Sequence, residues 1–93
     1  MLEINEYFDG NVKSIAFKTD TLPATVGVMA PGEYTFNTNE KEKVTIVSGA
    51  MTIKRADDKE ESTFNAGESF NVSANSSFDL KISIDTAYLC LYG

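Results

Sequence analysis

The sequence contains no histidine and no tryptophan among its 93 residues. Histidine is the side chain used most often as a general acid or base near neutral pH and as a ligand for transition metals. Its absence excludes histidine-based catalytic triads and every histidine-ligated metal centre. Any chemistry in this chain must therefore depend on carboxylates, hydroxyls, amides and the few basic side chains.

Cysteine and basic residues are also scarce. The one cysteine, Cys90, excludes an internal disulfide and fits a reducing compartment such as the cytoplasm. In the segment TAYLCLYG we interpret it as a small apolar strand residue that packs in the core. Eight Lys and Arg residues stand against 14 Asp and Glu, a net charge of −6. This balance disfavours a nucleic-acid partner.

Long hydrophobic runs are missing as well. No apolar run approaches the roughly 20 residues that a membrane-spanning helix needs, so we expect no membrane partner. The start, MLEINEYFDG, has neither the basic nor the apolar region of a secretory signal. The length predicts a single domain, residues 1–93. Because so small a domain buries a limited core, we expect a second subunit and a homodimer formed sheet to sheet.

Helical periodicity is absent, and turn signals recur at roughly 8–12-residue spacing, which is typical of β-sandwiches and barrels. Asp9-Gly10 is a tight-hairpin signal and Pro31-Gly32 suits a type II turn. Short runs with strand character lie between the turns, at residues 12–18, 25–30, 33–38, 44–48, 50–55, 62–64, 69–72, 78–84 and 87–92.

Alternation within the run FDLKISI predicts which of its side chains are buried. Phe78, Leu80, Ile82 and Ile84 are expected to face inward, and the polar residues between them to face water. We predict an all-β domain of eight or nine strands, a cupin-type β-barrel (double-stranded β-helix or jelly roll). Closure is expected because it removes exposed strand edges.

The layout of residues 31–53 resembles the metal-binding strand pair of a cupin, without its histidines. Glu42 has the spacing of the cupin glutamate before Gly49. The paired ligand positions fall on Phe36 and Thr38, or on Thr35 and Asn37, and the later ligand position is held by Phe78. Such a set is too poor for zinc, iron or copper. An oxygen-only calcium or magnesium site on Glu40 and Glu42 is the remaining metal alternative.

Several short segments, in this order and spacing, resemble the small cupin family of pyrimidine/purine nucleoside phosphorylases. They are NEYF (5–8), VKSI (12–15), VGVM (26–29), GEYTF (32–36), SGA (48–50), FNV (70–72) and YLC (88–90). The resemblance runs nearly end to end. It implies phosphorolysis of many nucleosides to free base and ribose 1-phosphate, by a cytoplasmic homodimer without a metal or other cofactor. Nucleosides and inorganic phosphate, the co-substrate, are then the expected small-molecule partners.

That reaction needs a phosphate site, a ribose site and a base site. Lys13 is the first choice for phosphate, with Arg55 second, since no helix N-terminus is predicted. Glu42, with Glu33 behind it, is the candidate acceptor for the ribose hydroxyls.

The base site must accept purines and pyrimidines, and aromatic stacking suits it because every base has a π-face. Phe78 is the first candidate and Phe36 another, and Thr38 and Asn71 are expected to add hydrogen bonds. A buried glutamate with a raised pKa and a tyrosine are the two candidates for protonating the leaving base, and the sequence does not choose between them. A non-catalytic small-ligand-binding cupin is the alternative, favoured by the lack of a strong acid–base pair. A purely structural interaction protein is a further one.

Overall fold

The computed structural model describes all 93 residues, which form ten strands and no helix. The strands are β1 (Glu3–Tyr7), β2 (Val12–Lys18), β3 (Pro23–Met29), β4 (Gly32–Asn37), β5 (Glu42–Ser48), β6 (Ala50–Arg55), β7 (Ser62–Asn65), β8 (Ser69–Val72), β9 (Ser77–Ile82) and β10 (Thr86–Tyr92). The all-β prediction is confirmed, and each predicted run overlaps one of these strands. None of the elements is a helix able to span a membrane.

Two antiparallel sheets face each other around one core. The large sheet has the strand order β1-β2-β3-β10-β5-β8, and the small sheet has the order β4-β9-β6-β7. Fourteen buried residues form the core between them, with Ile46, Met51, Ile53 and Leu80 among the least exposed. These side chains occupy alternate strand positions, because successive residues of a strand point to opposite faces.

The predicted closure into a barrel was wrong, because the two sheets are not hydrogen-bonded to each other along their lengths. On one side only a corner joins them: Gly67 N–H donates to Ile46 O at 2.8 Å, and Ile46 N–H donates to Glu68 O at 3.0 Å. On the other side, the loop after β1 meets β4 through rings, with Phe8 and Tyr34 centroids 4.9 Å apart. Side-chain packing thus takes the place of backbone closure there.

Two local expectations differ from the structure. Strand β1 pairs with β2 at the edge of the large sheet and was not among the predicted runs. Its polar sequence EINEY suits an edge strand, which is exposed on most of its surface. Strand β9 ends at Ile82, so Ile84 lies in the following bend with 58% of its surface exposed. The inward orientation predicted for Ile84 was therefore wrong.

Strand β10 is central to the molecule because it pairs with β3 on one side and with β5 on the other. Its inward-facing residues Tyr88 and Cys90 lie opposite Gly27 and Thr25 of β3. Its last residue, Tyr92, lies opposite Glu42 of β5. The register therefore collects two phenols, a thiol and a carboxyl group on one inner face of the large sheet.

Candidate active site

A cavity of about 530 Å³ lies between the two sheets. Its volume is in the range of small-molecule sites, about 300–1,000 Å³. Ten of its 15 lining residues are hydrophobic, and no lysine or arginine is among them. They are Tyr7, Ser14, Met29, Phe36, Asn37, Asn39, Glu40, Glu42, Val44, Met51, Phe78, Leu80, Tyr88, Cys90 and Tyr92.

One side of the cavity is aromatic. Phe36 of β4 and Phe78 of β9 are direct cross-strand partners, and their rings stack with centroids 6.0 Å apart and planes at 28°. Tyr7 meets the edge of Phe36 at 6.0 Å and 82°. The structure thus brings both predicted base-site phenylalanines into the cavity. Cross-strand pairing places Phe78 directly opposite Phe36. Thr35 lies outside the cavity, where its hydroxyl donates to Asp79 Oδ1 at 2.8 Å.

The opposite side is polar and includes Glu42, the predicted ribose-binding carboxylate. Glu42 is half-buried, and burial raises the pKa of its carboxyl group above the usual value near 4.5. The Cys90 thiol donates a hydrogen bond to Glu42 Oε1 at 3.4 Å, which opposes the rise in pKa. No lysine or arginine lines the cavity, so Glu42 has no cationic partner there, and its carboxyl oxygens can accept hydrogen bonds from a ligand's hydroxyl groups.

Three β10 residues, Tyr88, Cys90 and Tyr92, lie beside Glu42 on this side of the cavity. Burial raises the pKa of Tyr88 to about 12, and burial likewise raises the pKa values of the Cys90 thiol and the Tyr92 phenol. The Tyr92 hydroxyl lies 3.0 Å from Thr25 Oγ1. All three groups therefore stay protonated at neutral pH and act as hydrogen-bond donors.

Gly27 makes room for Tyr88. A Cβ atom added at Gly27 would lie 2.5 Å from the Tyr88 hydroxyl oxygen and 2.8 Å from Lys13 O, closer than real contacts allow. The Tyr88 ring consequently packs against bare backbone of β3, and this contact fixes where its hydroxyl enters the cavity.

Two predicted contacts lie beside the cavity. Thr38 is buried, and its hydroxyl donates to Ser73 O at 2.7 Å and accepts from Ser76 N–H at 2.9 Å. Its hydrogen-bonding capacity is therefore used within the protein. Asn71 is exposed on β8 and lines a second cavity of about 450 Å³, which Glu42 also borders.

The structure does not bring the predicted basic residues or Glu33 into the cavity. Strand alternation turns Lys13 to the outer face, where its side chain is 60% exposed and its Nζ lies 3.6 Å from Glu6 Oε1. Arg55 donates to Asp58 Oδ2 at 2.8 Å and to Asn71 O at 2.9 Å. Glu33 is exposed on β4, opposite Lys81.

Sequence reasoning missed much of the polar wall. Cys90 was interpreted as a packing residue, which its 3% exposure supports, but its thiol also contacts Glu42. The spacing Tyr88, Cys90, Tyr92 places three polar-ended side chains on one strand face, and this signal was present in TAYLCLY. Ser14 and Tyr7 carried no comparable signal, because the runs VKSI and NEYF have no clean alternation that would place either residue on the inner face.

The donor set does not favour a transition metal. No three His, Cys, Asp or Glu side chains lie close enough together to hold a metal ion. Phe36 and Phe78 have no ligand atoms, and the cavity's carboxylates are Glu40 and Glu42. Two carboxylates with amide and phenol groups are a weak set for zinc, iron or copper.

Known proteins resemble this chain over its whole length. A sequence model of the family described as pyrimidine/purine nucleoside phosphorylase matches residues 2–92. A protein of that name from Hahella chejuensis is 57% identical over 93 residues, which cover 100% of both chains. Another of that name from Psychromonas ingrahamii is 62% identical over 90 residues, 97% of this chain and 96% of the relative.

Solved structures share the fold. A Vibrio parahaemolyticus protein, described as of unknown function, has a TM-score of 0.96 at 46% identity and covers 100% of this chain and 99% of its own. A putative ethanolamine utilization protein from Salmonella typhimurium has a TM-score of 0.78 at 15% identity, covering 96% of this chain and 76% of its own. That identity supports the shared cupin-like fold alone.

Proposed function

This chain belongs to the pyrimidine/purine nucleoside phosphorylase family, and we propose that it cleaves purine and pyrimidine nucleosides with inorganic phosphate to free base and ribose 1-phosphate. The observation that carries the proposal in the structure is the two-sided cavity of about 530 Å³. An aromatic side and a polar side match the two halves of a nucleoside. A flat base stacks on rings regardless of its identity, and a ribose needs hydrogen-bond partners.

In the proposed complex the base lies against Phe36 and Phe78, and the ribose faces Glu42. Ionised Glu42 accepts hydrogen bonds from ribose hydroxyls, and the neutral phenols of Tyr88 and Tyr92 donate to ribose or phosphate oxygens. The Asn37 and Asn39 side chains line the same cavity and offer further amide donors. These assignments account for broad base acceptance, since the contacts to the base are to its face.

The proposed reaction needs no nucleophile from the protein. A phosphate oxygen forms a bond to C1′ while the C1′–N bond breaks, and the proton carried by phosphate balances the proton gained by the base. The transition state has oxocarbenium character, as in other glycosyl transfers. The cavity contributes by positioning the two substrates and by placing the Glu42 carboxylate near the developing positive charge. We propose that no transition metal takes part, because the cavity's donor set does not suit zinc, iron or copper.

A non-catalytic small-ligand-binding protein is the second candidate. It is favoured by the absence of lysine and arginine from the cavity lining, since phosphate is usually held by cations. Turnover separates the two. The phosphorylase proposal predicts that purified protein forms free uracil and ribose 1-phosphate from uridine in equal amounts. Nucleoside binding without either product would support the second candidate instead.

We further propose that the protein is a cytoplasmic homodimer formed through the outer face of the large sheet. Ile4, Ile15 and Val26 are consecutive cross-strand partners there, with 65%, 40% and 45% of their surfaces exposed. Beside this apolar row lie Glu6 and Lys13, an exposed pair of opposite charge. A two-fold axis through the face would bring each charge toward its opposite on the other subunit, which makes the patch self-complementary.

A further inference from the structure

The hairpin between β1 and β2 contributes Tyr7 to the lining of the cavity. Tyr7, the last residue of β1, lines the cavity although 44% of its surface is exposed. Its ring lies 6.0 Å from the Phe36 ring in a T-shaped arrangement, and Phe36 in turn stacks on Phe78. The large sheet therefore contributes one aromatic residue to a cavity side otherwise built by the small sheet. Because much of the Tyr7 side chain is exposed, a ligand in the cavity can bury part of its surface.

The backbone at the hairpin tip is strained. Phe8 and Asp9 have φ angles of 53° and 57°, and Gly10 N–H donates to Tyr7 O at 3.2 Å. A left-handed conformation is unfavourable for a bulky residue such as Phe8, whereas asparagine and glycine adopt it readily. Phe8 is therefore held there by contacts elsewhere in the structure.

Those contacts anchor the hairpin to β4. The Phe8 ring lies 4.9 Å from the Tyr34 ring and 5.5 Å from the Phe36 ring, centroid to centroid. Tyr34 is buried, and its hydroxyl donates to Ala30 O at 2.7 Å, so the surface that receives Phe8 is itself fixed. Because Tyr7 directly precedes Phe8, this anchor sets the position of the Tyr7 ring over the cavity.

We propose that Tyr7 is a substrate-contacting residue whose ring packs against the base of the bound nucleoside, and that Phe8 positions it by anchoring the hairpin to β4. The proposal rests on the nucleoside specificity proposed above. It assigns the contact to the ring of Tyr7, so the phenol hydroxyl is dispensable. The proposal gives Tyr7 no contact with phosphate.

Substitutions at position 7 test the contact. Tyr7→Ala is expected to raise the KM for uridine and adenosine about 5- to 100-fold, the usual effect of losing one base–aromatic contact. Tyr7→Phe is expected to stay within about twofold of the parent protein, and the KM for phosphate to be unchanged in both. Phe64→Ala is the matched control, since Phe64 is a half-buried ring packed on Phe70 outside the cavity.

Substitution of the anchor tests the positioning role. Phe8→Asn keeps a residue that accepts the left-handed backbone but removes the ring, so it should raise the nucleoside KM in the same direction as Tyr7→Ala. A nucleoside KM within twofold of the parent in Tyr7→Ala, or an equal loss for phosphate, would overturn the proposal. If the parent protein shows no turnover, the phosphorylase proposal fails. The role of Tyr7 is then tested separately, by measuring the affinity of the parent and of Tyr7→Ala for uridine by calorimetry. The Tyr7 proposal is overturned if Tyr7→Ala binds uridine as tightly as the parent does, or if the parent does not bind uridine.

Discussion

At the scale of single residues, Glu42 combines burial with a negative charge that no cavity cation balances. Burial raises its folded-state pKa above the usual 4.5, so the native state holds its proton more tightly than the unfolded chain. Stability from this group is therefore greatest below the unfolded pKa and is lost as pH rises through the folded pKa. At neutral pH, ionisation of the buried Glu42 carboxyl group therefore lowers the stability of the fold.

The substitution Glu42→Gln should therefore separate function from stability. We expect kcat/KM for nucleosides to fall about 10- to 100-fold, the cost of losing hydrogen bonds to a charged acceptor. The melting temperature at pH 7 should rise, and the gain should disappear below about pH 4.5. The kcat/KM of the parent should also decline as pH falls through the raised pKa. Glu40→Gln, at an exposed position on the same cavity, is the control. An unchanged kcat/KM in Glu42→Gln would remove Glu42 from the site.

Gly27 is a position at which there is no room for a side chain beside the Tyr88 ring. The substitution Gly27→Ala places a methyl group against the Tyr88 ring and the Lys13 carbonyl, so it should cost about 1–3 kcal/mol of stability and reduce kcat/KM. Gly67→Ala is the comparison: its Cβ meets nothing within 4 Å, but its φ of +86° strains the backbone. It should lower the melting temperature and leave kcat/KM unchanged. Equal kcat/KM losses in both variants would argue against a role for Tyr88.

At the scale of elements, strands were more predictable than the orientation of their side chains. The run FDLKISI alternates cleanly, and the structure buries Phe78, Leu80 and Ile82 as expected. The run VKSI has apolar residues at both parities, so its sequence does not say whether Lys13 or Ser14 faces the core. In the structure Ser14 faces the core, because Val12 and Ser14 lie on the inner face of β2. Strand β1 was missed because an edge strand needs no hydrophobic pattern of its own.

The loop between β4 and β5 is held at the cavity by Thr38. The substitution Thr38→Val keeps its shape but leaves the Ser73 carbonyl and the Ser76 N–H without their side-chain partner, at a cost of about 1–3 kcal/mol for the two part-buried hydrogen bonds. Thr38→Ser keeps the hydroxyl and should retain most of the stability. Chemical denaturation of both variants measures the difference. Similar losses in the two would show that the methyl group, and not the hydroxyl, matters.

At the scale of the whole molecule, the arrangement of the sheets explains why the fold class was more predictable than the site. Two facing sheets follow from alternating strands, but the cavity depends on which strands meet across the gap. Phe36 and Phe78 come together through cross-strand pairing over a separation of 42 positions, and Glu42 meets Cys90 through the pairing of β5 with β10. Such long-range registers are not visible in local sequence patterns.

The homodimer proposed for the large sheet is tested by its apolar row. Ile15→Lys should convert the protein to a monomer, because a lysine at the centre of the row would bury an unpaired charge. Ile84→Lys, at an exposed isoleucine in the bend after β9, should leave the dimer intact. Size-exclusion chromatography with light scattering distinguishes masses near 10.2 kDa and its double. A dimeric Ile15→Lys variant would place the interface elsewhere.

The most direct test of the phosphorylase proposal is base release from uridine and from adenosine by the purified protein, with and without inorganic phosphate. We predict that both bases are released, that release requires phosphate, and that ribose 1-phosphate forms in equal amount. Release of neither base in the presence of phosphate, or release that does not depend on phosphate, would contradict the proposed function.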